Sequence, residues 1–420
     1  MAGISDRLKA LGVQIGAQNI KPPPPRSPNG ISQVLSGRTV QTQVGEAYLV
    51  EKTFTVGSLH GRIPLEIDAP LQVIAEWAGD PRIASMQRDC FAFIDTETTG
   101  LSGGAGTFAF LIGAGRFDGD TFHLAQFFMR DPIEEPAQLL AFEEFIAPCS
   151  ALVTFNGKAF DLPLISTRFI THGWQRSFRD YPHVDLLHLA RRLWRDRLPS
   201  RTLGNLEFHI LGAERTEDDV PGWMIPSLYF QYLRDGDARP LKSVFYHNAM
   251  DVVSMVALFN HMAGLLARPL ECNLEHGVDL LALARLFESL NDLETAARLY
   301  LAGLDHDLPQ DALLEAIERL AAIHKKQGNY TQALPLWEKA AGYGQISSCE
   351  ELAKYYEHHA RDLPSAIYWT QQAIEIAGSP RFPLYQRHQI LPELEHRMAR
   401  LLKKSGSSDP PASDIIPAAR

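Results

Sequence analysis

The stretch Phe91-Ala-Phe-Ile-Asp-Thr-Glu-Thr-Thr-Gly-Leu101 constrains this chain more than any other. Residues 90–96 read as a buried strand running into a loop that carries two acids. Strand side chains alternate faces with period two, so Asp95 and Glu97 share a side if extended backbone persists to Glu97. Two carboxylates at the end of an apolar strand then lie within a few ångströms of each other. At ~4 Å and an effective dielectric near 20, they repel by about 4 kcal/mol. An ionised pair at that spacing calls for a cation between its members, and a divalent metal is the usual one. A strand end that meets solvent can also carry two acids by chance, so the rest of the chain must decide.

From residue 90 the order of elements is clear. The strand is followed by glycine-rich residues 100–106, a strand over 107–117, the turn Asp118-Gly119 and a returning strand over 121–129. A helix over 136–146 and a short buried strand over 151–155 come next, and then mostly helices. This order predicts an α/β mixed sheet covered by helices, with part of the sheet antiparallel. Asp161 follows the turn Asn156-Gly157 at the start of a helix. It either joins the two strand acids or serves as an ordinary N-cap or first-turn acid.

Helices are expected over 184–195 and 203–211. Between them Arg191, Arg192, Arg195, Arg197 and Arg201 surround Trp194, as a phosphate-binding surface or a solvated face. A long helix over 241–266 carries Tyr246-His247-Asn248-Ala249-Met250-Asp251. His247 and Asp251 are four apart and share a face, while Tyr246 points about 100° away from His247. Asp251 stands among Met250, Val252, Val253, Met255 and Val256, where an acid is costly unless it is paired or metal-bound.

The 420 residues suggest two to three domains. Residues 1–40, with the run Pro22-Pro-Pro-Pro25, are expected to be disordered. Residues 41–87 read as an extension packed on the main domain, 88–268. Beyond it, residues 275–377 hold a self-similar helical pattern whose equivalent Ala296, Ala333 and Ala366 are 37 and 33 apart. These copies resemble tetratricopeptide repeats, which have a period of about 34 residues; a plain helical bundle is the alternative. Residues 404–420 read as a disordered tail. Four cysteines without a C-x-x-C pair argue against zinc and against a disulfide framework. The first residues lack a signal-peptide apolar core, and no uninterrupted apolar run reaches membrane-span length, so no membrane and a cytoplasmic location are expected. The net charge of −10 does not itself suggest nucleic acid, which would need a local basic patch.

Taken together, Asp95, Glu97, Asp161 and Asp251 resemble the acids of the DEDD superfamily of 3′–5′ exonucleases, built on a ribonuclease-H-like fold. Asp95-Thr-Glu-Thr-Thr-Gly-Leu101 looks like the first motif, Asn156…Phe160-Asp161…Leu164 the second, and His247…Asp251 the third. With the repeats that follow, the order is most similar to the bacterial YprB-like group. The resemblance implies hydrolysis of DNA or RNA phosphodiesters at a single-stranded 3′ end, with two divalent cations, Mg2+ or Mn2+. Asp95 would bridge both ions, and Glu97, Asp161 and Asp251 would share the other ligand positions. Thr98, Thr99, Gly100 and Leu101 would hold the terminal nucleotide. Asn156 and Lys158 would meet a phosphate or sugar, unless Lys158 is a solvated turn residue. In such enzymes a Tyr four residues, or a His five residues, before the last Asp assists the attacking water. Here the letters are exchanged, and the shared face with Asp251 selects His247 as the base over Tyr246. The repeats would bind a protein partner. Two other readings are an inactive nuclease-fold scaffold and an aspartyl-nucleophile phosphatase using the acidic pair Asp218-Asp219.

Overall fold

The structure is a computed structural model that describes residues 29–100, 106–272, 274–380 and 382–406. Leu101, most of the glycine-rich segment, the proline run and residues 407–420 lie outside the described residues. The chain divides into two compact units: residues up to Arg191 with Ser200–Ala267, and Arg192–Pro199 with the chain from Arg268 onward.

The first unit is built on a seven-stranded sheet. Its strands are β1 Gly37–Thr42, β2 Gly45–Thr55, β3 Phe91–Thr98, β4 Ala109–Asp118, β5 Thr121–Phe128, β6 Ala151–Thr154 and β7 His183–Asp185. They lie in the order β1-β2-β5-β4-β3-β6-β7. β3 is antiparallel to β4 and parallel to β6. The β4–β5 hairpin turns at Asp118-Gly119, where Gly119 takes φ +55°. The unit's longer helices are α1 Glu135–Ile146, α2 Asp161–Thr171, α3 Leu186–Trp194, α4 Ile225–Asp235 and α5 Leu241–Ala267.

β3 reads as a continuous apolar run because both faces are covered. Phe91 and Phe93 meet Phe259 of α5, with ring centroids 5.2 and 6.2 Å away. Ala92 and Ile94 belong to the opposite cluster, with Phe142 of α1 and with Ile165 and Phe169 of α2. α5 is long and apolar enough to cross a membrane, but 72% of its most apolar stretch is buried within the protein. It is the core helix of this unit.

Three expectations change. The first part of 41–87 is not an extension, because β1 and β2, which end at Thr55, are strands of the same sheet and β2 pairs with β5 from Tyr48↔Phe128 to Thr55↔Thr121. Order also begins before residue 40, with a turn of helix at Ile31–Val34 and then β1. Residues 183–185 are a strand rather than the start of a helix, and Leu203–Leu206 runs on into a π-helical turn, Glu207–Leu211.

The second unit is a run of helices: α6 Gly277–Ser289, α7 Leu293–Leu304, α8 Gln310–Lys326, α9 Tyr330–Gly342, α10 Ile346–Tyr355, α11 Leu363–Gly378 and α12 Leu384–Ser405. Each packs chiefly on the next. Ala296, Ala333 and Ala366 are fully buried in the second helix of successive pairs, α7, α9 and α11. The caps of those helices keep the same spacing: Asp292, Asn329 and Asp362 each precede the alanine by four residues. The arginine run is partly spent here, since Arg197 Nη1 meets Asp279 Oδ2 at 2.6 Å and Arg195 pairs with Asp196.

Candidate active site

Extended pairing of β3 with β4 continues through Glu97↔Leu111, and the register shifts only after Glu97. Asp95 and Glu97 therefore share a side, as their spacing requires. Asp161 opens α2 but does not cap it, because Phe160 is the N-cap residue and no side chain caps the helix. Instead the Thr96 hydroxyl donates to Asp161 Oδ1 across the strand end. Asp251 comes from the middle of α5.

The four acids feel one another. Burial first, then the charges of Asp251, Glu97 and Asp161, pushes Asp95 well above the usual carboxylate range. Burial, Asp251 and Asp161 do the same to Glu97, against the opposing pull of Arg215. Burial raises Asp161 to about 6 despite its bond from Thr96. Asp251 is also raised by burial, with Arg215 and His247 opposing.

Asp95 is held by a buried polar relay. Asn248 Nδ2 donates to Asp95 Oδ2 at 2.8 Å, and Gln126 Nε2 donates to Asn248 Oδ1 at 2.9 Å and to the Phe245 carbonyl at 2.8 Å. Gly113, the β4 partner of Asp95, makes this possible: a Cβ there would lie 2.3 Å from Asn248 Oδ1.

Asp251 is held by Arg215, whose Nη2 donates to Oδ1. Glu207 grips the Nε–Nη2 edge of the same guanidinium, with Nε at 2.7 Å and Nη2 at 2.6 Å from its two oxygens. His247 lies one turn before Asp251. Its Nδ1 is 2.8 Å from Asp219 Oδ1 and 3.1 Å from Arg215 Nη1. The guanidinium would need a lone pair on Nδ1 and the carboxylate needs a proton there; the shorter carboxylate contact favours the proton on Nδ1. The Nε2 lone pair then faces Asp251, 3.7 Å from Oδ2 and beyond hydrogen-bond distance. Tyr246 is turned elsewhere: its hydroxyl accepts from the Thr216 N–H at 3.0 Å.

The turn between β6 and α2 is organised by Asp185. Its carboxylate accepts from the Asn156 N–H at 2.8 Å and the Lys158 N–H at 3.1 Å. Asn156 sits at φ +69°, and a Cβ on Gly157 would lie 2.5 Å from that of Thr154. The side chain of Lys158 is exposed at a cavity of about 690 Å³, which it lines with Leu162, Phe178, Arg179, Tyr181 and His183. Thr99 is committed to the protein, its N–H to the Phe108 carbonyl and its hydroxyl to the Phe108 N–H. The Thr98 hydroxyl donates to the Gly100 carbonyl.

Among the described residues, no group of three or more His, Cys, Asp or Glu side chains stands in an arrangement that could hold a metal ion. Asp95, Asp161 and Asp251 each turn one oxygen to Asn248, Thr96 or Arg215. Each keeps its second oxygen, and Glu97 has no hydrogen-bond partner among the described residues. This all-oxygen, mutually repelling donor set fits a hard divalent cation.

Asn248, Gln126, Arg215, Glu207 and Asp219 were not singled out from the sequence as parts of this site, although Asp218-Asp219 stood out as an acidic pair. Glu207, an acid within the apolar stretch 203–211, was the one signal available, because a buried carboxylate demands a partner.

A family model described as the RNase_H superfamily matches residues 92–263, from β3 through most of α5. Residues 92–263 are an RNase H superfamily domain with that nuclease fold, and the chain belongs to the YprB family. Among individual proteins, it is 34% identical over 321 residues to "Uncharacterized protein YprB" of Bacillus subtilis (strain 168), a match covering 75% of each chain.

Proposed function

We propose that the protein is a metal-dependent nuclease that removes nucleotides from a single-stranded 3′ end of DNA or RNA by a two-metal-ion mechanism. The observation that carries this is the cluster of four acids at the end of β3, all raised by burial, with Asp95 and Glu97 also raised by their acidic neighbours. Asp95, Glu97, Asp161 and Asp251 are the groups that would hold Mg2+ or Mn2+. Divalent ions supply an acidified water and stabilise the departing oxygen in such hydrolysis. His247, steered by Asp219, offers Nε2 to take the proton of the attacking water. Asn156, Lys158, Thr98, Gly100 and Leu101 would meet the nucleotide, and Lys158 and Arg179 at the adjoining cavity would meet its phosphates. Thr99 would support them through Phe108. The helical unit, with its periodic alanines and caps, is read as tetratricopeptide-like and as the seat of a protein partner.

The test is incubation of end-labelled single- and double-stranded DNA and RNA with Mn2+ and with chelator, for the wild type and Asp95→Asn. Stepwise shortening from the 3′ end, lost in chelator and in the variant, is expected. Turnover in chelator, or a near-normal rate for Asp95→Asn, rejects the carboxylate–metal reading. No cleavage of any polymer favours the scaffold alternative.

A further inference from the structure

The cavity of about 690 Å³ has one wall on α2, where Leu162, Ser166 and Ile170 recur a helical turn apart. A second wall comes from residues 178–183. A third comes from Ala78, Gly79 and Asp80, which precede the family domain. That wall is low: the helix Gln72–Ala78 stops at Gly79, φ +71°, where a Cβ would meet no atom within 4 Å. Arg82 ties the last two walls together. It grips the Asp80 carboxylate with Nε at 2.9 Å and Nη2 at 2.6 Å, and Nη1 donates to the Asp180 carbonyl at 2.9 Å.

Asp80 is thereby neutralised, whereas Lys158 and Arg179 have no carboxylate partner among the described residues. The uncharged polar groups have capacity to spare. The Tyr181 hydroxyl accepts from Arg176 Nη2 at 3.0 Å, and its own proton has no acceptor among the described residues. Ser166 Oγ has no hydrogen-bond partner among them. His183 uses Nε2 on Thr154, and burial, then the charge of Lys158, holds the ring down to about 4, so it is neutral at pH 7. Two unopposed cations, neutral polar groups and an apolar wall in one cavity fit an anion joined to a flat, weakly polar body. Inorganic phosphate would leave the apolar wall empty. Leu162 follows Asp161 directly, so the cavity borders the acids of a nuclease fold.

We propose that this cavity is a nucleotide-binding site in its own right: Lys158 and Arg179 take the phosphate, and the base lies along Pro163 and Ile170 with hydrogen bonds from Ser166, Tyr181 and His183. This deepens the nuclease reading and rests on it for the choice of ligand. The nucleotide is either free or one unit of a strand whose 3′ end occupies the acid cluster.

Calorimetric titration of the full-length protein in chelator, where the metal-free acids repel phosphate, reads the cavity without turnover. The probes are the ribonucleoside monophosphates, RNA and DNA pentanucleotides of mixed sequence, adenosine, and inorganic phosphate. A nucleotide probe should bind more tightly than adenosine or phosphate. A monophosphate as tight as the pentanucleotides identifies a free ligand; binding of a pentanucleotide alone identifies a strand. Lys158→Ala with Arg179→Ala should weaken binding roughly tenfold or more, as the loss of charge-assisted hydrogen bonds does. Ser166→Trp, which fills the cavity, should weaken it likewise, and thermal melting checks the fold of both variants. No nucleotide bound by the folded wild type, or binding that both variants leave unchanged, overturns the proposal and leaves the metal-dependent reading standing. Binding that the variants remove, in a protein that cleaves no polymer with Mn2+, keeps the site and overturns the nuclease reading.

Discussion

His247 and Tyr246 are neighbours in sequence with separate duties in the fold. Asp219 fixes the His247 ring, and the Thr216 N–H occupies the Tyr246 hydroxyl. His247→Ala should lower turnover by on the order of 10²–10⁴, the usual loss of a general base, with Mn2+ binding retained. Tyr246→Phe should leave the rate within a few-fold; a crippling Tyr246→Phe beside a mild His247→Ala reverses the assignment. His183 makes a different prediction. Burial holds its imidazole down to about 4, and its Nε2 lies 2.8 Å from the Thr154 hydroxyl. In the unfolded chain a histidine titrates near 6.5. Between these values the unfolded state binds the extra proton. The stability attached to neutral His183 is therefore whole above about pH 6.5 and is lost as pH falls through 4, by about 3 kcal/mol in all. Urea midpoints of wild type and His183→Gln from pH 8 to 4.5 should show a steeper loss for the wild type; parallel curves reject the assignment. At this scale the sequence exposes the acids, because a charge set in an apolar strand or helix has to be explained. It hides Arg215 and Gln126, whose links to Asp251 and Asn248 span 36 and 122 residues.

The β3–β4 pair shows how a single glycine protects the site. Gly113 lies opposite Asp95 and leaves room for Asn248. Gly113→Ala should displace Asn248, break its bond to Asp95 and cost about 1–3 kcal/mol as overpacking. Combining it with Asn248→Ala should recover part of the stability but not the activity. Additive destabilisation, measured by urea unfolding of the single and double variants, counts against a shared space. Elements long enough to display a period, such as α5, or buried on both faces, such as β3, are legible in the chain. β7 is not, because its three residues cannot display alternation and the apolar run of α3 swallows them. The place of β2 is hidden for another reason: its partner β5 begins 66 residues after Thr55, and nothing local in either strand names the other.

The helical unit carries its signature openly, in buried alanines that recur with their caps. Its boundary is less simple than the break at 266–269 suggests, because Arg192–Pro199 groups with it as well. A chain stopped after Ala267 leaves Arg197 without Asp279 and Asp196 without Arg285, and uncovers Trp194 and Leu198, both at least 95% buried. Such a truncation should lose soluble yield and melt earlier than the full chain, while the molecules that fold keep metal-dependent cleavage of short oligonucleotides. An equally soluble, equally stable truncation would show that residues 192–199 do not need the rest of their unit. The same feature sets a clock during synthesis. Arg197 leaves the ribosome some 80 residues before Asp279, so at 5–20 residues per second it waits roughly 4–16 s for its partner. Through that interval a tryptophan-bearing segment stands ready for a chaperone, and a pause in translation just after Ala267 would lengthen its exposure.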